Sequence, residues 1–422
     1  MSCELSSSSA SAFQADKYET LIFDTIKAKQ TDLTNLGETI WNDPEEALEE
    51  VRAAKLLTDY LQTIDGVSVE CNFKGLPTAF LASWTKNPVQ KDEHYTTVAV
   101  LCEYDALPEI GHACGHNLIA EAGIACFVAA VAAAKQSGAE GKIVCMGTPA
   151  EESGAGKVKL IQKGAFKDVD FAMMVHSAPV DMLAPPMLAV DHCSATFTGK
   201  ASHASAGPFD GINALDACVS AYNNLSMARQ QLKPNHQIHM IISKGGSKPN
   251  VIPDSTKMDY YIRAPNGKEM VELREKTTAC FQAAKLATGC LNLQLDGGHE
   301  SYGALLTNKT MLGIYEHYGL KHGMHFHAAP AGGGGSTDMG NVSIEVPSIH
   351  PLFNIQDPAG EQTLTMIHTV GFQALAGQPA GHLRAGLAGG TMAMLVMELL
   401  LNESLRKKVK KEFEEEKRHF IA

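Results

Sequence analysis

Apolar residues over roughly the first 190 positions fall into short continuous runs separated by longer helical patterns. Continuous runs occur at 96–103, 143–146 and 171–175, and a β-branched, apolar segment spans 67–84. Runs that are apolar at every position are typical of strands buried on both faces of a parallel sheet. An Ala-rich helical pattern at 117–136 lies between two of these runs. Alternating strands and helices predict an α/β domain with a central, mostly parallel sheet flanked by helices.

The pattern changes near residue 190. Four predicted strands and two predicted helices follow, and together they are typical of an α+β sandwich; the strands are 193–198, 239–243, 256–263 and 291–296, and the helices are 212–231 and 268–288. After about residue 305 the chain returns to helices and Gly-rich loops. This order predicts one domain inserted into another.

The predicted boundaries follow from that change of pattern. Residues 191–305 are expected to form an inserted α+β lid, and residues 1–190 and 306–422 to form the two parts of the main α/β domain. The Ser-rich segment 1–16 is expected to be disordered, because it offers little apolar surface to bury.

Composition narrows the class of protein. The formal net charge of −12 argues against a nucleic-acid partner or an anionic membrane surface, because both attract basic proteins. No continuous apolar run of about 18 residues predicts a transmembrane helix, and the Ala-rich stretch 119–134 is expected to be a buried core helix. The N-terminus lacks the basic and apolar regions of a secretory signal, and ten cysteines without framework spacing indicate reduced thiols. We therefore expect a cytoplasmic protein.

Side chains that bind metals or transfer protons follow the predicted strands of the first part. In open parallel sheets, ligands bind outside the carboxyl ends of the strands. Six side chains are therefore expected to converge on one cleft: Asp105, Cys114, His116, Glu151, Glu152 and His176. A mixture of thiolate, imidazole and carboxylate is what a divalent ion such as zinc prefers.

The adjacent carboxylates of Glu151 and Glu152, in the motif P-A-E-E, suggest two different roles in one site. Adjacent side chains cannot both point the same way, so one of Glu151 and Glu152 can bind metal while the other holds a water and acts as general base. Asp105 can accept the second ring N–H of a metal-bound histidine and so fix its tautomer. The residues by themselves leave open which glutamate has which role.

The ordered motifs D-A-L-P, H-A-C-G-H, P-A-E-E, a strand-end V-H and G-K-A-S-H-A-S resemble the zinc aminoacylase/carboxypeptidase superfamily, metallopeptidase family twenty. The similarity spans about residues 20–402. Within the amidohydrolase branch, the segments at 335–343 and 349–351 look most like the Xaa-Arg (β-alanyl-lysine type) dipeptidases. The resemblance implies a metal-dependent hydrolase of N-acyl amino acids or dipeptides that binds two divalent ions, zinc foremost, with manganese or cobalt as alternatives.

The resemblance also assigns roles residue by residue. Cys114 matches the bridging metal ligand; His116, Glu152 and His176 match further ligands; Glu151 matches the general base and Asp105 the orienting carboxylate. The last ligand in the branch is a histidine near the C-terminus. His368 in M-I-H-T-V-G-F fits that context better than His350 in I-H-P, which remains the competitor.

Residues of the predicted lid receive roles from the same resemblance. His203 matches a histidine that reaches into the neighbouring subunit's site and polarises the scissile carbonyl, which implies a homodimer formed through the lid. Asn250 and Arg263 resemble positions that bind the substrate's carboxylate end, a group that arginine recognises well. Outside the lid, the glycine run 332–335, which ends in Gly335 before Ser336, either gives a small-molecule substrate close access to the backbone or is only a flexible loop.

Two other functions remain open from the sequence. A non-catalytic binding protein could share the fold, although such a protein would not need Glu151. An enzyme of specialised metabolism, or one that forms amides, could use the same groups, since both directions pass through the same tetrahedral species.

Overall fold

The computed structural model describes residues 13–86, 95–297, 301–329, 334–356 and 364–421. Its centre is a six-stranded mixed sheet, whose strands are β1 (Val67–Cys71), β2 (Phe80–Thr85), β3 (Thr97–Cys102), β4 (Lys142–Gly147), β5 (Phe171–Met173) and β11 (Ser348–Ile349). Their order in the sheet is β1-β2-β4-β3-β5-β11. The last four are parallel to one another, whereas β2 runs antiparallel to β1 and β4. The predicted α/β class is confirmed.

Helices flank this sheet. They are α1 (Glu19–Asn42), α2 (Val51–Gln62), α3 (His116–Ser137), α4 (Gly156–Gln162), α7 (Lys309–Lys321), α8 (Met339–Glu345), α9 (Val370–Ala376), α10 (Pro379–Leu401) and α11 (Glu403–Ile421). A two-stranded parallel ribbon, β6 (His176–Ala178) with β12 (Leu352–Asn354), continues from β5 and β11.

The main core lies between β3 and three long helices. All six residues of β3 are buried, and α3 packs against both α1 and α10. Both α3 and α10 are long and apolar enough to cross a membrane, yet 94% and 83% of their most apolar windows are buried inside the protein. They are therefore core helices, as expected for the Ala-rich stretch at 119–134.

The inserted segment forms a separate antiparallel sheet with two helices. Its elements are β7 (Ala189–Thr198), α5 (Ala214–Ala228), β8 (Gln237–Lys244), β9 (Ser255–Ala264), α6 (Gly267–Thr288) and β10 (Asn292–Gly297), and the strand order is β10-β7-β9-β8. Its own core includes Phe197, Tyr260 and Phe281. We call residues 189–297 the lid. The exact domain limits of 190/191 and 305/306 remain predictions.

The prediction that residues 1–16 are disordered is wrong for residues 13–16. Residues 13–16 pack against the body of the protein: the Phe13 ring stacks on His317 at 4.2 Å, and the buried Ala15 donates its N–H to Glu398 at 2.8 Å. A buried carboxylate that accepts this bond and an aromatic contact fix the segment. Residues 1–12 lie outside the described residues.

Candidate metal centre

The ends of three strands, β3, β4 and β5, and the starts of two helices, α3 and α9, deliver the predicted side chains to one point. Cys114 and His116 lie at the start of α3, where the left-handed Gly115 (φ +77°) turns the chain. A β-carbon at Gly115 would lie 2.2 Å from the Ser177 hydroxyl, so only glycine fits there. The close approach that this glycine permits brings Cys114 next to His176 at the start of β6.

Five side chains form two groups that share the Cys114 sulfur. Cys114, His116 and His176 form one group, and Cys114, Glu152 and His368 form the other; within each, the ligand atoms lie within 4.8 Å of one another. The sulfur lies 3.5 Å from His176 Nε2 and 3.3 Å from His368 Nε2. A shared thiolate between two three-residue groups is an arrangement suited to two neighbouring metal ions.

Hydrogen bonds fix the tautomers of two of these histidines. Nδ1 of His116 lies 3.0 Å from Asp105 Oδ1, and Nδ1 of His176 lies 2.7 Å from the Ser177 carbonyl oxygen. Both acceptors require Nδ1–H, so each Nε2 keeps its lone pair for a metal. Burial, and then the charge of His116, lower the pKa of His176, which favours its neutral, metal-binding form.

The donor set fits divalent metal. His116 Nε2 and Glu152 Oε1 are buried without a hydrogen-bond partner among the described residues, and they lie 3.7 Å apart. Buried polar atoms are rarely left unpaired, so both atoms are available as metal ligands. Thiolate, imidazole and carboxylate ligands are compatible with zinc, manganese or cobalt.

Glu151 lies beside the ligands and points differently from Glu152. The preceding Ala150 has a left-handed φ of +63°, a conformation uncommon for a non-glycine residue and frequent at functional sites. An oxygen of Glu151 lies within 4.8 Å of ligand atoms of His116 and Glu152, and Tyr302 donates its hydroxyl to the Glu151 carbonyl at 2.5 Å. Burial, and then Glu103 and Asp338, raise the pKa of Glu151 well above its ordinary value.

A fully buried lysine stands behind Glu151. Lys157, in the first turn of α4, donates its ammonium to Glu103 and, at 2.7 Å, to Asp338 Oδ1. Its backbone N–H also donates to Asp338 Oδ2 at 2.9 Å. Nothing in the sequence pattern indicated this role, because a lysine in G-K-V-K is typical of an exposed helix start. The structure alone reveals it.

A cavity of about 820 Å³ opens in front of the ligands, between the main domain and the lid. From the lid, β7, β8 and β9 contribute His192, His239, Tyr261 and Arg263. Many of the other lining residues are apolar: Val180, Met182, Pro185, Pro186, Met187, Leu352, Met366 and Ile367. Among the described lining residues, only Glu151 and Glu152 are acidic. The cavity therefore combines an apolar wall with a cationic and aromatic one.

Three of the predicted substrate contacts lie in this cavity. Arg263 Nη1 donates to the Ser336 hydroxyl at 2.6 Å, and Gly335 lies beside them in the lining. Gly332 and Gly333 of the predicted glycine run fall outside the described residues. His350 also lines the cavity; it is buried, and both its ring nitrogens are without a partner among the described residues, yet it belongs to neither ligand group.

His203 and Asn250 do not line the cavity of their own protomer. Both are exposed on the lid, where the Asn250 carbonyl accepts the N–H of Ala204 at 3.1 Å. Nδ1 of His203 accepts the backbone N–H groups of Ser205 and Ala206 at 3.3 and 3.2 Å. Since Nδ1 is an acceptor, the neutral ring carries its proton on Nε2, which can donate to another molecule.

Comparisons with known proteins identify the family of the chain. Residues 191–288 match the M20 peptidase dimerisation domain. The chain is 42% identical to the Xaa-Arg dipeptidase of Mus musculus and 39% identical to that of Homo sapiens, each over 90% of this chain and 88% of the relative. It is 32% identical to one of the component chains of the p-aminobenzoyl-glutamate hydrolase of Escherichia coli, over 69% of this chain and 62% of that protein.

Solved structures share the fold. A Bacillus subtilis protein, described as a dinuclear metal binding peptidase from the M20 family, superposes with a TM-score of 0.60. The superposition covers 86% of this chain and 98% of that one at 18% identity, a level that shows the fold.

Proposed function

The chain belongs to the M20 family of metal-dependent peptidases and amidohydrolases, in the group of the Xaa-Arg dipeptidases, and from this premise we propose a substrate and a set of residue roles. It is a metal-dependent hydrolase of amide bonds in N-acyl amino acids or dipeptides, as the motifs predicted. The observation that carries the proposed roles is the pair of ligand groups that share Cys114, with Glu151 beside them.

Cys114, His116 and His176 would hold one divalent ion, and Cys114, Glu152 and His368 a second. When bound, the ions supply Lewis acidity that polarises the amide carbonyl and lowers the pKa of a water in the site. Asp105 orients His116 through the 3.0 Å bond to its Nδ1 and accepts the Glu152 backbone N–H at 2.9 Å. The same carboxylate thus fixes a ligand from each group.

Glu151 is the proposed general base. Its carboxylate takes a proton from the attacking water and returns that proton to the nitrogen of the leaving amine, so the residue ends the cycle as it began. The Tyr302 hydroxyl bound to the Glu151 carbonyl and the left-handed turn at Ala150 hold the side chain in place. Bound cations would offset the burial that otherwise favours the protonated carboxyl.

His203 of the partner subunit is proposed to donate its Nε2–H to the carbonyl oxygen as negative charge develops there. Three observations support a homodimer of this kind: the match to a peptidase dimerisation domain, the exposure of His203 and its absence from the cavity of its own chain. A preorganised donor at a developing oxyanion contributes several kcal/mol, about 3, to catalysis. Asn250, next to His203 on the same surface, would enter the partner's site with it.

The cavity favours a substrate with an apolar acyl half and a carboxylate on the released amino acid. Arg263 is the one arginine among the described lining residues, and a guanidinium binds a carboxylate through two parallel hydrogen bonds. The apolar wall that includes Met182, Leu352 and Met366 suits an aliphatic or aromatic acyl group or side chain. Glu151 and Glu152 are committed to catalysis, so the described lining offers no further carboxylate for a basic side chain.

A substrate panel tests this proposal. The metal-loaded protein is assayed with N-acyl amino acids of increasing acyl size, with dipeptides ending in Arg, Lys or neutral residues, and with the C-terminal amide of each substrate. Apolar acyl groups should be preferred. Amidation of the carboxylate should lower kcat/KM by roughly tenfold to a hundredfold, the usual worth of a hydrogen bond to a charged group.

Arg263→Met should remove that discrimination between acid and amide, whereas Lys257→Met should keep it, because Lys257 is a half-exposed lysine on the same strand β9. Equal rates for acid and amide in the unsubstituted protein would refute the carboxylate contact. A preference for charged acyl groups over apolar ones would refute the proposed contact of the acyl half with the apolar wall.

A further inference from the structure

Three carboxylates and one ammonium are packed together behind the metal centre. Glu103 and Asp338 are 0% exposed, Glu151 is 7% exposed, and an oxygen of each lies within 4.8 Å of the others. The ammonium of Lys157, also 0% exposed, bonds to both Glu103 and Asp338. We call these four residues the buried charge cluster.

The cluster draws its members from four places in the fold. Glu103 directly follows β3, Glu151 lies in the loop between β4 and α4, Lys157 is in the first turn of α4, and Asp338 directly precedes α8. Lys157 holds Asp338 twice, through its ammonium and through its backbone N–H. The side chain of Lys157 therefore connects helix α4 with the end of β3, through Glu103, and with the residue that precedes α8, Asp338.

Glu103 faces the metal centre with one oxygen only. Lys157 binds Oε1, while Oε2 is buried without a partner among the described residues and lies 3.8 Å from His116 Nε2. That nitrogen carries the lone pair proposed to bind metal. A carboxylate left free to rotate could turn either oxygen toward this point, and the ammonium prevents it.

Charge balance gives the lysine a second effect. Carboxylates buried this close to one another repel, and a buried charge without a counter-charge is strongly unfavourable. Lys157 is the one lysine or arginine that the described ion pairs place on Glu103 and Asp338. Its positive charge offsets the repulsion between Glu103 and Asp338 and holds both carboxylates in place beside Glu151.

We propose that Lys157 is a positioning residue for the hydrolytic reaction: by holding Glu103 and Asp338, it fixes the carboxylate surroundings in which Glu151 accepts and returns the proton. This inference rests on the proposed role of Glu151. Among the described residues, Lys157 neither lines the cavity nor belongs to a ligand group, so its effect on turnover is transmitted through the cluster.

The test compares Lys157→Met, Lys157→Arg and the charge-balanced double variant Lys157→Met/Asp338→Asn with the unsubstituted enzyme. Metal content, thermal unfolding, kcat and KM are measured for each. Lys157→Met should lower kcat by roughly a hundredfold, the usual size of a lost preorganised charge effect, with KM and metal content little changed. Lys157→Arg keeps the charge in a different shape and should recover part of kcat.

The double variant separates positioning from stability. It removes one cation and one anion, so it should unfold at a higher temperature than Lys157→Met while kcat stays low. If the double variant recovers both stability and kcat, Lys157 only balances buried charge and the proposal is wrong. A normal kcat in Lys157→Met overturns it directly.

A further comparison distinguishes this inference from the proposed role of Glu151. Lys157→Met is combined with Glu151→Gln and compared with Glu151→Gln alone. If Lys157 acts through Glu151, the double substitution should lower kcat hardly further than Glu151→Gln does. Independent, multiplying losses would overturn the inference while leaving Glu151 as the base. A near-normal kcat in Glu151→Gln would instead overturn the role of Glu151.

Discussion

Cys114 is the residue on which both ligand groups depend, because its sulfur belongs to each. Cys114→Ala should therefore lower metal content at both positions, whereas His176→Ala should empty mainly the position that His176 shares with His116. The measurement is elemental analysis of desalted protein, with circular dichroism to confirm the fold. Cys126→Ala, which removes another buried thiol from α3, is the matched control and should retain full metal content.

The choice between His368 and His350 is decided by the same measurement. His368 Nε2 lies 3.3 Å from Cys114 Sγ and 3.6 Å from Glu152 Oε1, whereas His350 is in neither ligand group. His368→Ala should lose metal and His350→Ala should keep it. The reverse result would exchange the two assignments, and full occupancy in Cys114→Ala would remove the shared-sulfur arrangement altogether.

Glu151 and Glu152 are adjacent in sequence, but substituting each should remove a different property of the enzyme. Glu151→Gln keeps the shape of the side chain and removes the proton acceptor, so kcat should fall by roughly two to four orders of magnitude with metal content unchanged. Glu152→Gln should instead lose metal. Turnover by Glu151→Gln within a few fold of the unsubstituted enzyme would exclude Glu151 as the base.

The strand-end rule explains why these residues could be predicted and others could not. Asp105, Cys114, His116, Glu151, Glu152 and His176 all follow apolar runs, so the sheet topology implied that they meet. Lys157 joins Glu103 to Asp338 through the path of α4 and α8, which no local pattern encodes. The unpartnered ring of His350 is equally invisible in sequence, because hydrogen-bond satisfaction is a property of the packed fold.

At the scale of elements, the contact between α3 and α10 contains a buried acid–histidine pair. Glu121 Oε2 lies 2.6 Å from His382 Nδ1, and both residues are at most 1% exposed. Burial, opposed by His382, raises the pKa of Glu121 from 4.5 to about 7. The other charged group that acts on Glu121 is Glu38 of α1, which raises the pKa further.

This shift predicts a pH dependence of stability. Between pH 4.5 and about 7 the folded protein keeps the Glu121 proton while the unfolded chain has released it, so the free energy of unfolding should fall as pH rises through this window. The full effect of this group is about 3 kcal/mol. Urea unfolding at pH 5 and pH 7.5 measures the difference.

Glu121→Gln should flatten this pH dependence, because glutamine retains the shape and the hydrogen bond to His382 but does not titrate. Asp32→Asn, which changes an exposed carboxylate on α1, should behave like the unsubstituted protein. If the free energy of unfolding of Glu121→Gln fell with pH as steeply as that of the unsubstituted protein, groups other than Glu121 would cause the pH dependence.

Element types were more predictable than element contacts. Continuous apolar runs at 96–103 and 143–146 correspond to β3 and β4, which are buried on both faces as the runs required. The segment at 67–84 forms the antiparallel hairpin β1–β2, which makes the sheet mixed. Helical periodicity gave no indication that Glu121 would face His382, since the two are 261 residues apart.

At the scale of the whole molecule, the lid holds two of the proposed site residues, His203 and Asn250, away from the cavity of its own chain. His203 and Asn250 are exposed on the lid surface, while Arg263 of the same lid lines the cavity of its own chain. In the proposed mechanism, a complete site combines Glu151 and the metal ligands of one protomer with His203 of the partner subunit. Sequence could suggest this division only through the family resemblance, because one chain's pattern does not encode where a second copy lies.

Mixing two inactive variants tests that division. Glu151→Gln and His203→Ala should each be nearly inactive alone, yet their heterodimer contains one site with an intact Glu151 and an intact partner histidine. Activity after subunit exchange should exceed the sum of the two parents, measured on a mixture in which heterodimers are demonstrated by differential tagging. Glu151→Gln mixed with Cys114→Ala is the matched control: both defects lie in the same half of the site, so neither site of that heterodimer is complete and no rescue is expected. Proven heterodimers of the first pair that remain inactive would place His203 in the site of its own protomer.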